Sequence, residues 1–409
     1  MNRRDFLKLL ALLAVSTYLG SSTSAKKDQI VIVGAGIIGC ALGYELAKAG
    51  ANVTLIDKAQ PGSQASGNSF SWINATYPKQ PYVYNFFSQL GIDAYKSLTP
   101  ELGLNVKWSG SLEWFADKKV ETDSFKQLAN IMKYKQYTPV EIISASAANQ
   151  LEPKVIFKKN TKVIFSKSDG AIDAGDAINK FTNHIKQYGG KVIYPCEYLC
   201  SNYKNGKLLS VKTNQGEIEA DKVIFTSGID TNALTGQSFL KEATPGIIIK
   251  SKPSKDVMNR MLIGPGIHLH QQNNGVVVIG EQTGAPTNHK ERLKQKPNNF
   301  PVSIGRQHGE RLLQQTNLLF QEKLNLDLDQ ISIGWRPLPK DGMPIIGWLP
   351  NRPNSYVATM HSGVSLAAIV AKVASQEILD GVSNTLLKEF RPSRSVSYTH
   401  LTLPTIYSV

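Results

Sequence analysis

The segment Gly34-Ala35-Gly36-Ile37-Ile38-Gly39 constrains this chain more than any other. It follows the β-branched run Ile30–Val33, which reads as a buried strand. It opens a helical pattern from about Ile37 to Ala49 that stops at Gly50. Val53–Ile56 reads as the next strand, and Asp57 closes it. A lone glycine triplet is a weak signal. With a strand before it, a helix after it and an acid ending the second strand, it reads as the opening βαβ unit of a dinucleotide-binding fold. Gly34 makes the tight turn, Gly36 lets the backbone approach a pyrophosphate, and Gly39 lets helix and strand pack closely. The first helical amides, Ile37 and Ile38 among them, hold phosphates with the helix dipole. Asp57 is placed to hydrogen-bond the adenosine ribose, and it disfavours a 2′-phosphate.

Two observations favour FAD over NAD. The motif opens the chain that follows a leader, and the stretch after Asp57 is a small, polar, glycine-rich loop. Within it, Lys58 and Ala65-Ser66-Gly67-Asn68-Ser69 are candidate cofactor contacts through backbone amides and hydroxyls. The 409 residues give room for two domains, and 41% hydrophobic with 19% charged residues is a globular balance. Three cysteines exclude a disulfide scaffold and a four-cysteine zinc site. The net charge of +14 is spread along the chain without a basic–aromatic cluster, so no nucleic-acid partner is expected.

Residues 1–25 read as a leader. Arg3-Arg4-Asp5-Phe6-Leu7-Lys8 precedes a short apolar run and the small residues Ser21–Ala25. The arginine pair resembles a twin-arginine export signal, which implies the twin-arginine machinery as partner and a periplasmic or membrane-associated bacterial enzyme. At the other end, residues 396–409 resemble a translated sequencing adapter and are expected to be a non-native tail. Between the ends, helices are expected at 174–188, 306–319 and 366–379. Strands are expected at 191–194, 208–213, 220–228, 267–270 and 276–280.

Taken together, the motifs resemble the FAD-dependent D-amino acid oxidase family, which includes glycine oxidase, sarcosine oxidase and D-amino acid dehydrogenases. The fingerprint and Ala65–Ser69 are similar to its first FAD-binding region. Asp169-Gly170-Ala171-Ile172-Asp173 is similar to its mid-chain turn, and Ala220–Gly228 to a segment that ends near the dinucleotide at Ser227 and Gly228. Gly334-Trp335-Arg336-Pro337 with Asp341-Gly342-Met343-Pro344 resembles its C-terminal signature. Asn354–Val364 resembles its final flavin loop, bringing Ser362, Gly363, Val364 and Ser365 to the cofactor. The resemblance implies an α/β fold with a Rossmann-like FAD-binding domain assembled from segments 28–80, 141–235 and 331–392. A mostly antiparallel substrate domain would come from 81–140 and 236–330. It also implies an oxidoreductase that moves a hydride from an amine-bearing carbon to the flavin.

Arg336 falls where related oxidases hold a substrate carboxylate, and a planar guanidinium suits that task. It stands at the cofactor as well, and arginine bonded to loop carbonyls is the competing reading. His361 lies in the flavin loop and is a second catalytic candidate. His268 and His270 share one face of a strand, turned to the cavity or to water. No acid or cysteine pair accompanies them, so no metal site is expected. Trp335 and Tyr356 suit a cavity wall or a core equally. Covalent-flavin members of the family use a cysteine in the C-terminal half of the chain, whereas Cys40, Cys196 and Cys200 all lie far from Arg336, so the resemblance implies non-covalent FAD. Amino acid, N-methyl amine and hydroxy acid stay open as the small-molecule substrate, and so do oxygen and a membrane quinone as acceptor. Gly175-Asp176 sits mid-chain at a helix start, which argues against a flavin hydroxylase. A flavin-binding protein without amine oxidation is the non-enzyme alternative.

Overall fold

The computed structural model describes residues 27–396, apart from 76–78, 80, 135–139 and 282–301. Residues 1–26, with the expected leader, and residues 397–409 lie outside the described residues. Two sheets organise the chain. The first is six-stranded, in the order Ile345–Trp348, Ser355–Thr359, Lys222–Phe225, Gln29–Val33, Asn52–Ile56, Lys191–Ile193. Its neighbours run parallel except at the Ile345–Trp348 edge.

Alternation along these strands feeds two apolar layers. Ile30, Ile32 and Ile224 face a layer of helices: Ile37–Lys48, Tyr82–Leu102, Ala174–Gln187 and Gly363–Asp380. Val31, Val33, Val223 and Phe225 face the opposite side, where Leu208 and Val211 of a three-stranded antiparallel sheet cover them. A sheet buried on both faces has no reason to alternate polar with apolar residues, which is why its strands read as continuous apolar runs. Leu366, Ile369, Val370 and Val373 of the Gly363 helix are all buried. Each such side chain contributes about 1.5–3 kcal/mol.

The second sheet is eight-stranded, in the order Leu328–Pro339, Leu240–Ser251, Val277–Glu281, Ile267–Gln271, Met261–Gly264, Ser111–Glu113, Lys162–Ser166, Glu141–Ser144. All pairs are antiparallel except Met261–Gly264 with Ser111–Glu113. One face packs Leu112, Phe165, Ile249, Leu262, Leu269 and Ile279 against the helices 145–151 and 302–317. The other face turns toward the first domain.

The α/β class and the two-sheet plan agree with the sequence reading. The segment boundaries do not. Strands 141–144 and 162–166 fall in a segment expected on the FAD side but pair into the eight-stranded sheet. Helix Tyr82–Leu102 falls in a segment expected on the substrate side, yet Phe87, Leu90 and Tyr95 join the helical core over the first sheet. Each segment follows its apolar face, and chain order carries no information about that.

Candidate active site

The fingerprint turn is held by contacts that leave no room for side chains. Gly34 has φ +109°, and a Cβ there would stand 2.7 Å from the Thr226 carbonyl; at Gly39 it would stand 2.0 Å from Gly34 O. Thr226, at the end of the neighbouring strand, donates its hydroxyl to Gly34 O at 2.8 Å. The next residues, Ser227 and Gly228, therefore sit beside the turn, with Gly228 at φ +55°. Gly36 is the N-cap of the Ile37 helix and makes no side-chain cap bond. Ser66 Oγ accepts from Ile37 N at 3.0 Å, which ties the 65–69 loop to the helix start. Within that loop, Asn68 Nδ2 donates to Ser63 O and Gln64 O, and Ser69 Oγ donates to Ser66 O.

Asp57 closes the second strand as expected. Its Oδ2 accepts from Ala35 N at 2.7 Å and its Oδ1 from Ala59 N at 2.8 Å. Burial pushes its pKa up while both backbone bonds and Lys58 pull it down. Each oxygen keeps a further lone pair, so the carboxylate anchors the turn and still offers an acceptor to a ribose. Lys58 instead pairs with Asp230 at 2.6 Å on the surface, and its placement does not mark it as a cofactor contact.

The second helix N-terminus lies against the first. Gly363 opens its helix with no side-chain cap at Ser362, and a Cβ on it would meet Ile38 at 3.6 Å. Ser362 Oγ accepts from Tyr84 OH at 2.9 Å, and Val364 O from Tyr95 OH at 2.8 Å. Ser365 Oγ donates to Trp72 O at 2.7 Å and accepts from Asn74 at 3.4 Å. The Asn74 Oδ1 beside it is buried without a partner. Two adjoining positive helix ends, a glycine cradle and an orphaned amide oxygen fit an anionic dinucleotide with a polar ring. Gly34, Gly36, Ile37, Ile38, Gly39, Asp57, Ala65–Ser69, Ser227, Gly228 and Ser362–Ser365 would hold it.

The eight-stranded sheet reaches this site through Gly334. A Cβ there would lie 2.7 Å from Asn68 O, so the substrate-side strand presses directly on the loop. Arg336 lies two residues on along the same strand, and burial lowers its pKa from the usual guanidinium value. Its cross-strand neighbourhood is Gly246, where a Cβ would stand 3.7 Å from Arg336 Nε. His268 lies over Gly280, because a Cβ there would meet its Nε2 at 2.4 Å.

His268 and His270 both turn inward and not to water. Phe70 meets His268 at 4.1 Å and His270 at 4.9 Å between ring centroids, and His270 Nε2 stands 2.9 Å from Phe70 O. Burial holds both imidazoles neutral. His268 falls to about 3, helped by the charge of His270 and Arg336, and His270 to about 4, opposed by its bond to Phe70.

His361 is an exposed residue at the end of the flavin loop. Surrounding protein, then Arg336, Lys79 and Lys241, lower it to about 4. Those four residues come from four separate segments, and the fold brings the three basic side chains within electrostatic reach of His361. Trp335 and Tyr356 resolve as core residues, since alternation sends Trp335 to the side opposite Arg336 and Tyr356 is wholly buried. The three cysteines are free thiols.

Sequence reasoning missed Lys79, Asn74, Tyr84, Thr226 and Glu113. Glu113 is buried on the face of the sheet that carries His268, one strand removed across Ile263. Burial, then the nearby Asp169, raises its carboxyl to about 7. A lysine and a glutamate at strand or loop positions carry no local sign of burial, so no motif exposed them. Thr226 lies inside the recognised Ala220–Gly228 segment, and its role as a clamp is the most readable of the five.

The FAD dependent oxidoreductase (DAO) family model matches residues 29–377. The chain belongs to this family and is an FAD-dependent oxidoreductase. Glycine oxidase of Bacillus licheniformis is 22% identical over 90% of this chain and 98% of its own length. The crystal structure of L-proline dehydrogenase from P. horikoshii superposes with a TM-score of 0.77 at 22% identity, covering 91% of this chain and 98% of that one. Glycine oxidase from Geobacillus kaustophilus gives 0.75 at 17% identity, covering 89% and 98%. The expected fold class, enzyme class and FAD cofactor agree with these findings.

Proposed function

We propose that the protein oxidises a carboxylate-bearing amine or amino acid by hydride transfer from the amine-bearing carbon. The observation that carries this reading is that the cations Arg336 and Lys241 bear electrostatically on His361 in the flavin loop. Cations around an imidazole held neutral favour an anionic ligand, and a guanidinium grips a carboxylate in two places. FAD, when bound, supplies the hydride acceptor. Arg336 fixes the carboxylate, the Phe70–His268 wall excludes water, and Gly334 sets the distance between substrate strand and cofactor loop. Likeness to glycine oxidases and to an L-proline dehydrogenase supports an amino acid substrate. The experiment is anaerobic bleaching of the flavin by glycine, sarcosine and D- and L-amino acids, with 2-hydroxy acids as the opposing panel. Bleaching by hydroxy acids alone would replace the amine reading.

Export by the twin-arginine route and a periplasmic or membrane-associated site are part of the same proposal, supported by Arg3-Arg4 and the apolar run after it. FAD is taken to be non-covalent and the acceptor to be oxygen or a membrane quinone. Comparing peroxide release with quinone reduction separates the two acceptors. Fractionation of a cell expressing an Arg3→Lys, Arg4→Lys variant tests export; unchanged periplasmic yield would rule the twin-arginine route out.

A further inference from the structure

Among the described residues, Lys79 is the only buried lysine. Its Nζ donates to Asn74 O at 3.2 Å and Ser88 Oγ at 3.0 Å, and stands 5.5 Å over the ring of Tyr84. None of the ion pairs given for the described residues includes it. Asp169 is the acid that bears on it electrostatically, and its oxygens are taken by Trp72 Nε1, Ser111 Oγ and Ser166 Oγ. A buried amine without a counter-ion favours its neutral form, and burial lowers Lys79 to about 7 against the opposing pull of Asp169.

Its surroundings are those of the candidate active site. Tyr84 bonds Ser362, the N-cap of the Gly363 helix, and Asn74 bonds Ser365 in its first turn. The titratable groups that face it are Tyr84 on its own side, Asp169 before the 170–172 strand, and His361, on which Lys79 bears electrostatically. The reaction class makes a demand here. An amine of ordinary pKa is protonated at neutral pH. An ammonium nitrogen has no lone pair to stabilise the carbon as its hydride leaves, so a proton must go first.

We propose that the neutral Lys79 amine takes that proton from the substrate ammonium before the carbon–hydrogen bond breaks. One N–H bond of the ammonium breaks and its electron pair stays on the substrate nitrogen. A new N–H bond forms at Nζ, leaving Lys79 as an ammonium beside Ser88. The hydride then leaves with two electrons for FAD, and the substrate becomes an iminium. This inference rests on the amine-oxidation reading above.

The test is anaerobic stopped-flow bleaching of the holoenzyme from pH 6 to 11, in wild type, Lys79→Met and Lys79→Arg. The wild-type rate should climb through an apparent pKa near 7. Both variants should be roughly 100-fold slower at pH 7 and recover to within a few-fold near pH 10.5, where free substrate is already neutral. A proton acceptor produces this alkaline recovery, and a purely structural role does not. Propionate binding, read as a shift in flavin absorbance, should stay within about 3-fold of wild type in Lys79→Met, which shows an intact site.

A second readout needs no turnover. Competitive acetylation with acetic anhydride, mapped by mass spectrometry, should place the Lys79 midpoint near pH 7, against about 10.4 for ordinary lysines. Variants that keep the wild-type pH profile, or lose rate equally at every pH, overturn the proposal, as does a Lys79 that reacts only above about pH 9. Wild-type flavin that binds propionate but is bleached by no amine at any pH overturns the amine reading, and this one with it.

Discussion

The two sheets bury their surfaces in opposite ways. The six-stranded sheet packs apolar residues on both faces, and the groups that would hold the cofactor are mainly backbone: glycine turns, helix ends and carbonyls. The eight-stranded sheet packs one apolar face and turns Glu113, His268, His270 and Arg336 toward the first domain. The cofactor side is a rigid cradle fixed by close backbone approach. The substrate side is a wall whose chemistry depends on individual side chains and their buried charge states. Substitutions should therefore fail differently on the two sides.

The largest effect is expected at Gly39→Ala. Its Cβ would fall on Gly34 O and close to Thr226 Oγ1, at 2.0 and 2.5 Å. Neither neighbour is the free end of a flexible chain. Purified protein should lose its flavin absorbance, with FAD affinity down by 100-fold or more, from overpacking of about 3 kcal/mol. Retention of full flavin would break the view of this side as a rigid cradle.

Arg336→Ala comes next. Losing a charge-assisted hydrogen bond of about 1.5–3 kcal/mol should raise KM for a carboxylate substrate by roughly 10- to 100-fold while FAD stays bound. Arg336→Lys should recover only part, because an ammonium lacks the planar fork. An unchanged KM would show that the guanidinium serves the loop carbonyls instead.

Stability against pH sharpens the contrast further. His268, His270 and His361 have folded pKa values below their unfolded values, so the unfolded chain binds more protons. Their penalty is absent above about pH 6.5 and grows as pH falls toward 4. Glu113 acts with the opposite sign. Its folded carboxyl titrates near 7, so the folded state binds more protons, and stability falls as pH rises from about 4.5 to 7. Glu113→Gln should therefore raise Tm at pH 8 by a few degrees and leave it nearly unchanged at pH 4. A lower Tm at pH 8 would mean that the ionised carboxylate has a partner that stabilises it.

The smallest effect is expected at the cysteines. Cys200→Ser, at an exposed free thiol, should leave flavin content unchanged, and acid precipitation of wild type should release all the FAD into the supernatant. Flavin that stays with the pellet would overturn the non-covalent reading.

Much of the cofactor side is legible in the amino-acid sequence alone. Gly34, Gly36 and Gly39 carry their geometry in their own lack of a side chain, and the runs Ile30–Val33 and Val53–Ile56 carry theirs in β-branching. These are local causes, and local sequence records them. The substrate side is legible at Arg336, through a family signature, and much less elsewhere. His268 and His270 show a shared face by alternation, but the direction of that face depends on Phe70, some two hundred residues distant along the chain. Trp335 and Tyr356 give no sign in the sequence of which side they take.

The sequence by itself determined the dinucleotide fingerprint, its strand–helix–strand frame, the FAD-dependent class and the arginine of the C-terminal signature. Tertiary structure alone decided that strands 141–144 and 162–166 join the substrate sheet. It also decided that Lys79, Lys241 and Arg336 bear electrostatically on His361, and that Lys79 and Glu113 are shifted toward neutrality. A pKa shift is the work of desolvation and neighbouring charge, and both come from segments that only folding brings together.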